Sequence, residues 1–145
     1  MSSDSLATDS EPTDIPGWDQ CSHENNAFIL HVGTIWQRTT EGGREYAFRV
    51  RKVHCNQNDS AHGGMIATFA DFAMGHTALL SNERRAIATV HLSLNFVGGA
   101  RLNDVIQCRV DLIRKTRSLF FMRGDLAVDT RRIATADGLW KIMGA

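Results

Sequence analysis

The chain has 145 residues and no net formal charge, which fits a single domain with a substantial hydrophobic core and gives no overall attraction to nucleic acid. Cys21, Cys55 and Cys108 are odd in number and form no CxxC pair, which argues against a disulfide framework or a thiolate zinc site and favours a reducing, cytoplasmic location. The N-terminus lacks a basic stretch followed by an apolar core, and no run approaches the roughly 18 apolar residues of a membrane span, so we expect a soluble protein that is not secreted.

The first part of the chain is acidic and polar. Residues 1–16 are rich in Ser, Thr and Asp and contain both prolines, so they predict a disordered segment ahead of one domain over residues 17–145. Residues 1–26 hold six acids and no Lys or Arg, which leaves ten acids and sixteen bases in the rest of the chain. That excess of positive charge favours an anionic partner. Trp18, a lone aromatic after the polar segment, predicts a short docking turn.

Two strands joined by a tight turn are predicted next. Residues 27–37 are aromatic and β-branched enough to predict a strand, and Glu41-Gly42-Gly43 supplies the positive-φ positions of a hairpin turn. Residues 45–53 predict the return strand, with Tyr46 and Phe48 on one face.

Residues 63–81 predict one helix of about 19 residues, far longer than an ordinary strand. An apolar stripe follows one face, and the other faces are rich in alanine, isoleucine and leucine. A helix that is apolar nearly all round lies inside a protein, so we expect other elements to wrap it. Asp71 is the only formal charge between Ser60 and Asn82, and a charge in an apolar helix is costly unless it has a partner or a task.

Four more strands follow the helix. Residues 87–96 alternate strictly, with Ala88, Val90, Leu92, Leu94 and Phe96 on one face and Ile87, Thr89, His91, Ser93 and Asn95 on the other. Further strands are predicted over residues 105–113, 119–128 and 133–143. The order β-β-α-β-β-β-β predicts an α+β fold in which an antiparallel β-sheet is wrapped around one long central helix.

A set of residues around this helix resembles a known family. Asn56, the run His62-Gly63-Gly64, Asp71 nine residues after His62, and the strand at residues 88–96 are together similar to the hotdog-fold acyl-CoA thioesterases of the phenylacetic-acid-degradation (PaaI-type) branch. The resemblance implies a hotdog fold, hydrolysis of acyl-CoA thioesters to free acid and coenzyme A without a cofactor, and self-association as a homodimer or homotetramer.

The chemistry of these residues agrees with that resemblance. His62, Gly63 and Gly64 stand where the helix begins, so their N–H groups are unpaired by the helix and the glycines allow a carbonyl to approach closely. The helix N-terminus adds partial positive charge, which suits the oxyanion formed when a thioester is attacked. Asn56 could donate to the same oxygen, and Asp71 could act as general base or as nucleophile.

The resemblance also implies that the Asp comes from the subunit facing the one that supplies the glycines. It further implies that Thr89, on the following strand, orients the water. Strict alternation places Thr89 on the polar face, away from its own helix, so its role depends on how the neighbouring chain packs.

Each of these residues has a plainer interpretation. Asp71 could be a structural acid held by buried partners, and Asn56 a turn residue that satisfies the local backbone. Gly63 and Gly64 could be turn glycines, and His62 could hold only the shape of the loop. Two other functions stay open: a hotdog acyl-thioester dehydratase, for which His62 is the candidate base, and a non-catalytic acyl-CoA binding or sensing domain.

The cluster Arg114, Lys115 and Arg117 lies at a predicted turn between strands. Such a run is usually a solvated turn, but arginine forks also suit the phosphates of coenzyme A, so these three residues and Gly64 are candidates for binding substrate. The cluster lacks interleaved aromatic residues, which argues against nucleic acid. No HxxxH or HExxH spacing occurs among the six histidines, so no metal site is predicted.

Overall fold

The computed structural model describes residues 15–21 and 25–144, so residues 1–14 of the predicted N-terminal segment lie outside the described part of the chain. Its strands are β1 (Asp19–Gln20), β2 (Trp36–Thr40), β3 (Gly43–Arg49), β4 (Ile87–Phe96), β5 (Val105–Lys115), β6 (Leu119–Val128) and β7 (Arg131–Ile142). Its helices are α1 (Ala27–Val32) and α2 (Gly63–Ser81), with a 3₁₀ turn at Lys52–His54. None of the described helices is long and apolar enough to cross a membrane.

The strands form one antiparallel sheet in the order β1-β2-β3-β5-β6-β7-β4. Helix α2 packs against β3, β4, β5, β6 and β7, and the predicted α+β fold, an antiparallel sheet around one long central helix, is confirmed. Strand β4 follows α2 in the chain but pairs only with β7 among the described strands, so it stands at one edge of the sheet.

The predicted strand at residues 27–37 is wrong over its first half, where the chain forms α1. The Asn26 side chain caps this helix by accepting a 3.1 Å hydrogen bond from the Ile29 N–H, and Gly33 ends it at a φ of 114°. Only Ile29 is buried in α1, whereas Phe28 and Leu30 are both more than half exposed. The strand begins at Trp36, and the hairpin turn after it is confirmed, with Gly43 at a φ of 120°.

Strand β4 contains a β-bulge that the sequence did not predict. Thr89 pairs with Trp140 and His91 with Leu139, so Val90 has no pairing partner on β7, and this residue is 57% exposed. Side chains alternate along a strand, and one inserted residue therefore exchanges the two faces on either side of it. The predicted faces are correct after the bulge and reversed before it, which turns Thr89 toward α2.

Two hydrophobic cores lie on opposite faces of the sheet. The larger one lies between α2 and the sheet and contains Trp140, Phe69 and Phe120, all fully buried. The smaller one lies on the outer face, where Ile15, Trp18, Trp36 and Ala47 pack together. The predicted docking turn at Trp18 is confirmed, because the Trp18 N–H donates to the Ile15 carbonyl at 3.2 Å and Trp18 is buried. The Arg38 guanidinium lies 4.0 Å from the centre of the Trp18 ring.

Candidate active site

Asp71 and Thr89 form a pair between α2 and β4. Asp71 lies near the middle of α2 and is half-buried, and Thr89 stands directly before the bulge of β4. The Thr89 Oγ1 donates a 2.8 Å hydrogen bond to Asp71 Oδ1 within the same chain. The expectation that Thr89 points away from its own helix is therefore wrong, because the bulge at Val90 reverses the alternation on which it depended.

The start of α2 is built from His62, Gly63 and Gly64. His62 is the N-cap residue, and its Nδ1 accepts a 2.9 Å hydrogen bond from the Gly64 N–H. The ring therefore holds the shape of the loop, as its plainer interpretation proposed, and the Gly64 donor is occupied. Gly63 is the first helical residue, and its N–H forms no hydrogen bond with another of the described residues. The Gly63 N–H is consequently the donor at this helix end that a ligand can use.

Asn56 organises the loop that leads into α2. Its Oδ1 accepts hydrogen bonds from the N–H groups of Asn58 at 2.9 Å and Ser60 at 3.3 Å. The Asn56 N–H donates to the Ser60 carbonyl at 2.8 Å, which closes the same turn. The side-chain oxygen thus serves the local backbone, and the side-chain amide nitrogen is the group that remains as a donor.

Within one chain, Gly63 and Gly64 lie too far from the Asp71 carboxylate to act on the same thioester group. Gly63 and Asp71 are eight residues apart, which is about 12 Å of helix axis at 1.5 Å per residue. Asp71 and Thr89 line a cavity of about 600 Å³, whereas His62 and Gly64 line a separate cleft of about 320 Å³. Phe28 and Thr68 line both, so the two spaces are neighbours.

The basic cluster lies at the opposite end of α2 from the glycines. The Lys115 Nζ donates to the carbonyl of Ser81, the last residue of α2, at 3.3 Å. Ser81 is eighteen residues after Gly63, or about 27 Å along the helix axis. Arg114 and Arg117 are exposed on either side of this lysine. The three bases and the glycines of one chain therefore face different regions of space.

A hydrogen-bonded group deeper in the large cavity was not found from the sequence. The His76 Nδ1 lies 2.7 Å from the Tyr46 hydroxyl, and the Thr77 Oγ1 lies 3.3 Å from the same hydroxyl. His76 also stacks on Phe72, with ring centres 5.3 Å apart. Burial raises the pKa of Tyr46 to about 12, so the phenol keeps its proton at neutral pH. No spacing in the sequence could connect Tyr46 with a residue thirty positions away.

The described residues offer no arrangement for a metal ion. No group of three or more His, Cys, Asp or Glu side chains converges within residues 15–21 and 25–144. His54 illustrates why, since its Nδ1 accepts from the Arg51 N–H at 2.9 Å and its Nε2–H donates to the Val32 carbonyl at 2.6 Å. Both nitrogens of that ring are used by the backbone.

Comparison with known proteins gives consistent matches. The family model described as "Thioesterase superfamily" matches residues 58–134. The chain is 31% identical over 97 residues to the Pseudomonas aeruginosa protein named "Putative esterase PA0474". The matched residues cover 66% of this chain and 72% of that protein.

Solved structures agree in fold. The PaaI protein of the phenylacetic acid degradation operon of E. coli has a TM-score of 0.73 at 18% identity, covering 84% of this chain and 88% of that one. A Bacillus halodurans protein solved with CoA has a TM-score of 0.66 at 17% identity, covering 74% of this chain and 71% of that one.

Proposed function

The chain belongs to the thioesterase superfamily, and from that premise we propose that it hydrolyses acyl-CoA thioesters to a free acid and coenzyme A. The resemblance found in the sequence is confirmed at the level of the family and of its PaaI-type relatives.

The observation that carries the proposal is the hydrogen bond between Thr89 and Asp71 in the wall of the large cavity. The hydroxyl holds one carboxylate oxygen, which leaves the other to take a proton from water or to attack the thioester carbon itself. Attack on that carbon places negative charge on the carbonyl oxygen, and the N–H of Gly63 at the start of α2 stabilises it. Collapse of the tetrahedral intermediate breaks the carbon–sulfur bond and releases coenzyme A as the thiolate. When water has attacked, the same step gives the free acid. When Asp71 itself has attacked, it leaves an acyl-aspartyl anhydride, which water then hydrolyses to the free acid and the original carboxylate.

The proposed reaction needs a second copy of the chain. The thioester oxygen that accepts from the Gly63 N–H is bonded to the carbon on which Asp71 acts. Gly63 and Asp71 are nevertheless about 12 Å apart along one helix. A site formed by Gly63 of one copy and Asp71 of another removes this mismatch. Strand β4 supports such an assembly, because it is a ten-residue edge strand on which Val90 and Phe96 are 57% and 52% exposed. We therefore propose a homodimer or a homotetramer as the active form.

In the same assembly we assign the basic cluster to the phosphates of coenzyme A. The excess of bases outside the acidic N-terminal residues supports an anionic ligand, and one structural relative was solved with CoA. Changing Arg114 and Arg117 together to Ala should raise the KM for acyl-CoA much more than for short thioesters that lack the nucleotide. An equal rise in KM for both kinds of thioester would show that these arginines do not bind the phosphates.

The direct test is thiol release from a panel of aryl and aliphatic acyl-CoAs by the purified protein. We expect hydrolysis that saturates with substrate and is lost in Asp71→Asn. Tight binding of acyl-CoA without thiol release would instead identify a binding or sensing domain. The dehydratase alternative is disfavoured because His62 is engaged as the cap of α2.

A further inference from the structure

The large cavity has a basic end as well as an acidic one. Asp71 and Thr89 line it at one end, and Arg84 lines it at the other. The Arg84 N–H donates to the Leu79 carbonyl at 2.9 Å, which fixes the backbone of this arginine beside the last turn of α2. Leu79 is eight residues after Asp71, so the two ends are separated by about 12 Å along the helix axis.

Arg84 differs from four other arginines of the chain, because each of those four forms an ion pair with a carboxylate. Arg38, Arg123, Arg131 and Arg132 each lie within 4 Å of a carboxylate, at distances between 3.0 and 3.7 Å. No carboxylate in the described part of the chain lies that close to Arg84. Among the described residues that line the cavity, Asp71 is the only acid and Arg84 the only permanent cation. Arg84 is thus a cation beside a cavity that can admit an anion.

His76 is the other titratable residue that lines this part of the cavity, among apolar side chains. Its ring contacts two buried groups outside the lining, since its Nδ1 lies 2.7 Å from the Tyr46 hydroxyl and its Nε2 lies 3.8 Å from the sulfur of Cys21. Burial raises the pKa of Cys21 to about 11, and the positive charges of Arg44 and Arg84 oppose that rise. The charge of Arg84 therefore acts on the Cys21 thiol, which contacts the cavity-lining His76.

The backbone at Arg84 is unfavourable for an arginine. Glu83 and Arg84 have φ values of 54° and 59°, the left-handed region that glycine adopts without a steric penalty. The turn from α2 into β4 needs these angles, yet the chain places a long charged side chain at the position that lines the cavity. Strain retained at such a position is typical of residues that contact ligands.

We propose that Arg84 binds a carboxylate at the distal end of the acyl group, so that the preferred substrates are ω-carboxyacyl thioesters of medium length. This inference rests on the proposed function, because it takes Asp71 as the end where the thioester carbonyl lies. An extended acyl chain then runs along α2 over Phe72 and Gly75, and its free carboxylate meets the guanidinium of Arg84.

The test compares adipoyl-CoA with hexanoyl-CoA, which differ in the terminal carboxylate. We expect the native protein to have the higher kcat/KM for adipoyl-CoA. In Arg84→Gln the ratio of the two kcat/KM values should fall roughly tenfold or more, as for loss of a charged hydrogen bond. Arg85→Gln is the matched control, since Arg85 is the adjacent exposed base and does not line the cavity. A fall of the same size in Arg85→Gln would overturn the inference, as would an unchanged ratio in Arg84→Gln.

Binding separates this inference from the proposed hydrolysis. The hexyl and 5-carboxypentyl thioethers of coenzyme A cannot be hydrolysed, and calorimetry gives their dissociation constants. Tighter binding of the carboxylate form, abolished in Arg84→Gln, supports the inference even if no thioester is cleaved. Hydrolysis of hexanoyl-CoA together with equal binding of both thioethers would overturn the inference and leave the proposed function standing.

Discussion

The hydroxyl of Thr89 donates a 2.8 Å hydrogen bond to Asp71 Oδ1, and a single unpaired residue, Val90, turns that hydroxyl toward the helix. Without the bulge, alternation would point Thr89 to the opposite face of the sheet. A carboxylate in an apolar helix thereby gains one defined partner, and its second oxygen stays open to the cavity. Substitutions at Asp71, Thr89, Gly63 and Arg84, with matched controls, test what this arrangement and its neighbours do.

Asp71→Asn keeps the size of the side chain and can still accept the Thr89 hydrogen bond, but it removes the base. We expect kcat to fall roughly 100-fold or more, in the range of general acid–base effects. Stability should hold or rise, because an amide costs less to bury than a charge. Steady-state kinetics and the urea unfolding midpoint, measured on this one variant, check both statements. A destabilised protein that retains its activity would mean that Asp71 is a structural acid.

Thr89→Val removes the hydroxyl with little change of shape, whereas Thr89→Ser retains it. Because the valine variant lacks this hydrogen bond, its free energy of unfolding should fall by about 1 kcal/mol. Its kcat should fall roughly tenfold, because the carboxylate is no longer held. The serine variant should stay near the native values. If the two variants had the same kcat, the hydroxyl would have no part in the reaction.

Gly63→Pro separates the N–H donor from the rest of the helix end. Proline is well tolerated at the first helical position, and His62, at φ −62° and ψ 136°, already has the extended conformation that a residue before proline requires. We expect an intact fold with kcat lowered roughly 100-fold or more, the effect of losing an oxyanion donor.

The matched control is Gly63→Ala, which keeps the N–H. Its added Cβ would lie 3.5 Å from the Phe96 ring, an ordinary contact distance. Circular dichroism establishes the fold of both variants before kcat is compared. Full activity in the proline variant would exclude the Gly63 donor from the mechanism.

Arg84→Gly should change stability and selectivity in opposite senses. Glycine relieves the left-handed strain at φ 59°, worth about 1–2 kcal/mol, against a cost of about 0.5–1 kcal/mol for its freedom in the unfolded chain. The unfolding midpoint should therefore hold or rise while the preference for a carboxylated acyl group is lost. Glu83→Gly offers the same relief at φ 54° outside the cavity lining, so it should keep the preference. A loss of preference in both variants would point to the turn rather than the guanidinium.

Periodicity was enough to predict the elements that are either buried on all sides or regular. The bounds of α2 and β6 agree with the sequence prediction, because a largely apolar run of nineteen residues is too long for an ordinary strand and residues 119–128 stand between turn-forming or charged residues. It failed at residues 27–32, where an aliphatic run looks like a strand. The helix there depends on the Asn26 cap and on the burial of Ile29 alone, and neither feature produces a hydrophobic period in the sequence.

The sequence supplied the candidate residues of the site but not their geometry. The spacing from Asn56 to Asp71 identified the group, since those residues follow one another along a loop and a helix. The facing of Thr89 was predicted wrongly because a bulge changes the register without leaving a compositional trace. Arg84 and His76 were missed for another reason, as only the folded chain brings them to one cavity.

The three tryptophans have consequences for spectroscopy. Trp18 and Trp36 lie together in the outer core, and Trp140 lies in the inner core while also lining the large cavity. Native fluorescence therefore reports two places at once. Emission from the outer pair, with the Arg38 guanidinium over Trp18, follows docking of the N-terminal turn on the sheet. Emission from Trp140 responds to whatever enters the cavity, so with Trp18 and Trp36 both changed to Phe the chain would carry its own optical probe for acyl-group titrations.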